Sequence, residues 1–302
     1  MKNVIYIALV LMVIAAVGIL SQAATNTAPE MLVQSDWLAA HLNDPGLVIL
    51  HVGADRTAYD GGHITGAQFV AWSDITIQRN GVPNQLPPPD VLKTVLERVG
   101  VGDQSHVIIY GDTPLLSAHL YFALDYLGHD RHSMLDGSLE KWRAEKRTLS
   151  TVKPPAATAR LTVTPHPELL VDMAAVQKIT AEKKMPVIDG RAPEQYSGVK
   201  PGEGISRGGH IPGAKNVFWM QALVSKDNPV FKPVGDIRAM YEAAGAKPGG
   251  DVLVYCRTGP IATNEYFTLK LAGFRPVLYN GSFMEWSNAA GTAVETGSGG
   301  LP

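Results

Sequence analysis

Short apolar runs alternate with amphipathic stretches along this chain, and the alternation occurs twice. In the first half, residues 48–50, 68–70 and 106–110 read as strands, while 89–99 and 116–127 carry the apolar spacing of helices. In the second half, 186–189, 215–218, 251–255 and 276–279 read as strands. Helices are predicted around 237–244 and after Ile261, the latter stopping at Gly273. Strands bounded by turn residues and separated by helix-length segments predict an α/β fold, an open, mainly parallel sheet flanked by helices in each half.

The two halves also share wording. Gly62-His63-Ile64-Thr65-Gly66-Ala67 recurs as Gly209-His210-Ile211-Pro212-Gly213-Ala214, and the apolar run ending at Tyr110 recurs as the one ending at Tyr255. Asp136-Gly137-Ser138, followed by Trp142, recurs as Asn280-Gly281-Ser282, followed by Trp286. Three matches in the same order at nearly constant spacing predict a duplicated domain. The first copy is placed at residues 31–149 and the second at 168–297, with a proline-rich linker at 150–167 and a loose Gly/Ser tail beyond Gly297.

The first residues do not read as part of the fold. Lys2, the apolar run from Val4 to Leu20 and the small residues of Ser21-Gln22-Ala23 have the layout of a signal peptide over 1–23. Its removal predicts an exported, periplasmic or secreted protein with no membrane contact; an uncleaved N-terminal anchor is the alternative. With 45% hydrophobic and 18% charged residues, the remainder fits a globular monomer rather than a disordered chain or a multi-span membrane protein. A formal charge of −2 gives no footprint for nucleic acid. One cysteine in the chain excludes an internal disulfide and a cysteine-rich zinc or iron–sulfur site, and the histidines lack metal-ligand spacing, so no cofactor or metal is expected.

That cysteine, Cys256, follows the predicted strand 251–255 and opens Cys256-Arg257-Thr258-Gly259-Pro260-Ile261-Ala262, before an amphipathic helix. A lone cysteine is often a small core residue. At the mouth of a strand–loop–helix turn, however, backbone N–H groups and the positive end of the helix dipole favour the thiolate, the nucleophilic form.

A duplicated α/β domain with Cys-x-x-Gly-x-x-Ala in its second copy resembles the tandem-domain rhodanese family of an exported bacterial type, the thiosulfate and 3-mercaptopyruvate sulfurtransferases. The resemblance spans about residues 31–295. It implies that Cys256 takes a sulfane sulfur from a small anionic donor such as thiosulfate, carries it as a persulfide, and yields it to a thiophilic acceptor such as cyanide or a thiol. Arg257, Thr258, Gly259 and Ala262 are then the substrate-binding loop. Gly111 stands where Cys256 stands, so the first copy is expected to be catalytically silent, with a structural role and as one wall of the active-site cleft. Cysteine phosphatases need an arginine where Ala262 lies, which argues against that chemistry.

Arg191 of Asp189-Gly190-Arg191 resembles a family arginine and is open to a structural or a substrate-contacting role. Gln195 stands where relatives carry a donor-binding arginine, and Arg207 is the candidate to replace it. His63 and His210, repeated in both copies, read as structural, and Trp286 as packing that could border the pocket. A 3-mercaptopyruvate sulfurtransferase and a non-catalytic sulfur carrier or interaction module are the alternatives.

Overall fold

The computed structural model describes residues 30–298. The expected signal peptide over 1–23 lies outside these residues. The first half runs β1 (Leu32–Val33), α1 (Ser35–His41), β2 (Leu47–Gly53), α2 (Thr57–Asp60), β3 (Gln68–Ala71), β4 (Ile77–Arg79), β5 (Val82–Gln85), α3 (Pro89–Arg98), β6 (His106–Gly111), α4 (Pro114–Leu127), β7 (His132–Leu135) and α5 (Ser138–Ala144). The second runs β8 (Leu170–Val171), α6 (Met173–Glu182), β9 (Val187–Asp189), α7 (Pro193–Tyr196), β10 (Lys215–Asn216), α8 (Val234–Ala243), β11 (Asp251–Tyr255), α9 (Pro260–Leu271), β12 (Arg275–Tyr279) and α10 (Ser282–Asn288).

Each half folds around its own five-stranded sheet. The strand orders, β1-β7-β6-β2-β3 and β8-β12-β11-β9-β10, are the same arrangement twice, and every pairing in them is parallel. The central strands are buried on both faces, which explains their continuous apolar runs. Register confirms the repeat at single-residue level: Val52 faces Gly111 and His51 faces Tyr110 in one sheet, while Asp189 faces Tyr255 in the other.

The predicted strand at 215–218 is shorter than its pattern. Only Lys215–Asn216 pairs; a 3-10 turn over Trp219–Ala222 follows, because the Trp219 N–H leaves the ladder for the carbonyl of Gly190. The edge strands β1 and β8, two residues each, and the antiparallel β4–β5 hairpin have too little pattern to be read from sequence. The linker forms an extended strap on the first domain: Ala159 N–H donates to the carbonyl of Glu97, Thr164 N–H to that of Leu127, and Leu161 is buried.

The two domains share one apolar core through α4 and α9, the helices that follow the two equivalent loops. Phe122 meets Tyr266 edge-on, and Tyr121 meets Phe267 likewise, each at 4.8 Å between ring centroids. Asp125 on α4 closes the contact with Lys270 Nζ at 2.6 Å and the Tyr266 hydroxyl at 3.1 Å. Burial works against the Asp125 charge, yet His132 and Lys270 bring its pKa below the ordinary carboxylate value. The site at the end of β11 is therefore fixed against the first domain.

Candidate active site

Cys256 is the first residue past β11 and is 1% exposed. The chain must turn back into α9 within four residues, and Gly259 makes this turn at φ +121°, ψ −51°, a conformation closed to residues with a Cβ. This turn brings the Gly259 N–H to 3.1 Å from Cys256 Sγ. The N–H groups of Ile261 and Ala262 open α9 and have no helical carbonyl four residues back, so the helix presents its positive end to the loop. Ala262, fully buried, admits this close start.

A second element holds the loop from behind. Phe283 N–H donates to the Cys256 carbonyl at 2.9 Å and Met284 N–H to that of Arg257 at 3.0 Å. Ser282, in the left-handed region at φ +54°, accepts from the Cys256 N–H at 3.4 Å and donates to the Tyr279 carbonyl. Ser138 holds the equivalent turn in the first domain at φ +53°, accepting from the Gly111 N–H at 3.0 Å and donating to the Gly111 carbonyl at 2.7 Å. The repeated Gly-Ser pair is thus the latch of the loop in both copies.

The candidate arginines separate. Arg191 is fully buried, grips both Asp189 oxygens, donates to the Gly209 carbonyl at 2.7 Å and stacks 4.1 Å from the Phe283 ring centroid. Burial opposes its charge, but Asp189, with smaller contributions from Tyr255 and Cys256, raises its pKa above the ordinary arginine value. It ties β9, the Gly-His-Ile turn and α10 together under the loop, which is the structural alternative. Arg207, the candidate donor clamp, is bonded to main chain. Its guanidinium is committed to the carbonyls of Trp286, Ser287, Ala289 and Thr292, the C-terminal end of α10 and the turn beyond. Arg257 is half-buried and has no ion pair among the described residues. Arg257 and Gln195 both flank Gly202, where an added Cβ would lie 3.5 Å from Arg257 Nη1 and 3.1 Å from Gln195 Nε2.

The residues by which the first domain reaches the loop, Asn84 and Gln85, were not read from the sequence. Asn84 Nδ2 donates to Thr258 Oγ1 at 3.2 Å, and Gln85 Nε2 to the carbonyls of Thr258 at 3.4 Å and Asn280 at 2.9 Å. Thr258 is buried beneath them. The only local signal was Asn80-Gly81 between two short runs, a hairpin cue with nothing to say what the hairpin touches. Glu265, also missed, lies fully buried on α9 against Gly190; burial raises its pKa to about 8, against a hydrogen bond from Tyr241.

The repeated histidines share one setting. His63 stacks on Tyr59 at 3.8 Å and His210 on Tyr196 at 3.7 Å, each with Nδ1 at the carbonyl of its stacking partner. Trp286 is buried and donates to the Ala293 carbonyl. No group of three or more potential metal ligands occurs among the described residues. No helix among them is long and apolar enough to cross a membrane.

Known proteins place this geometry. A sulfur carrier protein, TtuD, of Thermus thermophilus is 34% identical over 89% of this chain and 98% of its own. A thiosulfate sulfurtransferase of Corynebacterium glutamicum is 30% identical over 89% of this chain and 91% of its own. The anaerobic ergothioneine biosynthesis enzyme of Chlorobium limicola shares the fold, with a TM-score of 0.80 over 90% of this chain and 71% of that one at 22% identity. The rhodanese-like domain matches residues 34–145 and again 172–289, and the chain belongs to that family as a tandem of two such domains.

Proposed function

We propose that the protein is an exported thiosulfate sulfurtransferase that works through a persulfide on Cys256. The observation that carries this reading is the loop itself: a lone thiol at a helix N-terminus, with the Gly259 N–H on its sulfur. The 30%-identical thiosulfate sulfurtransferase and the 34%-identical sulfur carrier protein support sulfur transfer as the activity.

In the first step the Cys256 thiolate attacks the outer sulfur of thiosulfate. A Cys–S–S bond forms, the S–S bond of thiosulfate breaks, and sulfite leaves with that bond's electron pair. In the second, a thiophilic acceptor attacks the outer sulfur, and the pair of the cleaved bond returns to Cys256 as thiolate; cyanide leaves as thiocyanate. The loop sulfur is anionic both as thiolate and as persulfide, so fixed N–H donors serve both states without rearranging. Arg257 supplies positive charge to the anionic donor, in place of the arginine absent at Gln195.

Mass spectrometry after incubation with thiosulfate tests the reading. Cys256 should gain one sulfur atom and lose it to cyanide as thiocyanate, and Cys256→Ser should do neither. A gain with 3-mercaptopyruvate alone would change the donor; no gain with either would sink the enzyme reading and leave a carrier loaded by another protein.

A further inference from the structure

The first domain has no thiol of its own, yet it reaches 174 residues along the chain to grasp the active loop. We propose that Asn84 is a positioning residue for the sulfur site: it orients the Thr258 hydroxyl so that its proton is directed into the loop around Cys256. The proposal deepens the sulfur-transfer reading and rests on it for the role of that proton.

The orientation follows from donor and acceptor counting. Trp72 Nε1, which can only donate, lies 3.2 Å from Asn84 Oδ1, so the amide oxygen must face the indole. The amide nitrogen then faces Thr258 Oγ1, and that hydroxyl must accept. Its own proton has no acceptor among the described residues, although Thr258 is only 5% exposed. A buried hydroxyl proton without a partner is costly, and Thr258 sits in the loop between Cys256 and Gly259, whose N–H reaches the sulfur. A persulfide or the departing donor would complete the bond.

The surroundings hold Asn84 for this task. It sits at φ +60°, a left-handed position that asparagine tolerates better than most residues. Gln85 beside it fixes the Thr258 backbone. Trp72 packs on His119 at 4.8 Å between centroids, and His119 is anchored to the Ile75 carbonyl. Burial lowers the His119 pKa to about 4, so this support stays neutral at physiological pH. Asp or Gly at position 84 keeps the backbone and breaks the logic. Aspartate would accept from both Trp72 and Thr258 and draw the proton out of the loop; glycine would let the hydroxyl turn freely.

A double-mutant cycle decides. Asn84→Gly and Asn84→Asp are made in the wild-type and Thr258→Val backgrounds, with Thr258→Ala as a second background. Two rates are read: alkylation of Cys256 by iodoacetamide, which needs no sulfur donor, and single-turnover sulfur loading from thiosulfate. In the wild-type background Asn84→Gly should slow both several-fold and Asn84→Asp on the order of tenfold, at unchanged melting temperature. Without the Thr258 hydroxyl, Asn84→Gly should change neither rate. Equal slowing by Asn84→Gly in both backgrounds, or none in either, would overturn the proposal. Coupled alkylation rates in a protein that never loads sulfur would uphold it and refute the sulfur-transfer reading instead.

Discussion

Replacing Gly259 by alanine perturbs the turn that brings its N–H to the Cys256 sulfur, and its cost can be worked from three features. At φ +121° the residue lies outside even the left-handed well, and holding a Cβ there costs about 1–3 kcal/mol. The added Cβ would stand 3.1 Å from the Asn84 carbonyl oxygen, main chain of the other domain, which cannot swing away as a side chain would. Relief would come from rotating the peptide, which moves the N–H now 3.1 Å from Cys256 Sγ. A hydrogen bond to a charged group contributes roughly 1.5–3 kcal/mol, which is about tenfold to a hundredfold in the rate of a step that forms or uses anionic sulfur. The control is Gly291→Ala, at φ +82° with no atom within 4 Å of the new Cβ, where only the left-handed cost of about 1–2 kcal/mol applies. Thermal melting and iodoacetamide alkylation of Cys256 read the two effects separately. Gly259→Ala should melt lower than the control and alkylate at least tenfold more slowly, whereas the control should alkylate at the wild-type rate. Equal melting temperatures and equal alkylation rates for the two variants would refute the reasoning.

Further expectations concern the groups around the loop. Glu265 keeps its proton in the fold up to about pH 8, while the unfolded chain gives it up near 4.5. The native state therefore binds more protons in that window, and this group's contribution to stability falls as pH rises through it. Glu265→Gln should gain in melting temperature over wild type as pH rises from about 4.5 to about 8, and parallel curves would contradict the assignment. Arg207→Ala, which leaves several carbonyls of the α10 terminus without a donor, should lower stability by about 2–3 kcal/mol and leave the donor KM unchanged. Arg257→Ala should do the reverse, and a raised KM in the Arg207 variant alone would reinstate Arg207 as the anion clamp. Asp189→Asn strands the buried Arg191 charge and should cost about 3–5 kcal/mol in chemical denaturation; a loss below 1 kcal/mol would show that the pair is not the tie described.

The parts of this fold legible in the sequence are those governed by local rules. The central strands are continuous apolar runs because both faces are covered, and the repeat exposed the domain pair because the Gly-His-Ile turn and the Gly-Ser latch need fixed residues at fixed places. The loop around Cys256 was legible for the same reason: strand, tight turn and helix are contiguous. Asn84 and Gln85 were not, since a hydrogen bond between domains leaves no periodicity and an asparagine beside a proline reads as an ordinary turn. The contacts of Arg207 were not legible for a related reason: it precedes the Gly-His-Ile turn in the chain, but its guanidinium reaches the carbonyls that the end of α10 leaves open.

The copy without a cysteine shows how much of the candidate site is geometry rather than the thiol. Gly111 occupies the register position of Cys256, but a Cβ placed there would come within 2.7 Å of the Val52 carbonyl, so the strand end has closed over the space a cysteine needs. The turn into α4 is also shorter by one residue: Thr113 leads directly to Pro114, where Thr258 is followed by Gly259 and then Pro260. Without that glycine no N–H can bend back toward a sulfur. Asp112 stands in place of Arg257 and pairs with His51 at 2.8 Å, which exchanges the positive charge an anionic donor would seek for a carboxylate. Thiol, N–H donor and cation are absent together, while the Ser138 latch and the interface helix α4 persist. The features that remain are those that support the neighbouring domain, and the β4–β5 hairpin ends in the two residues that hold its loop. The first domain, with no thiol of its own, therefore contributes the side chains that hold the candidate loop of the second.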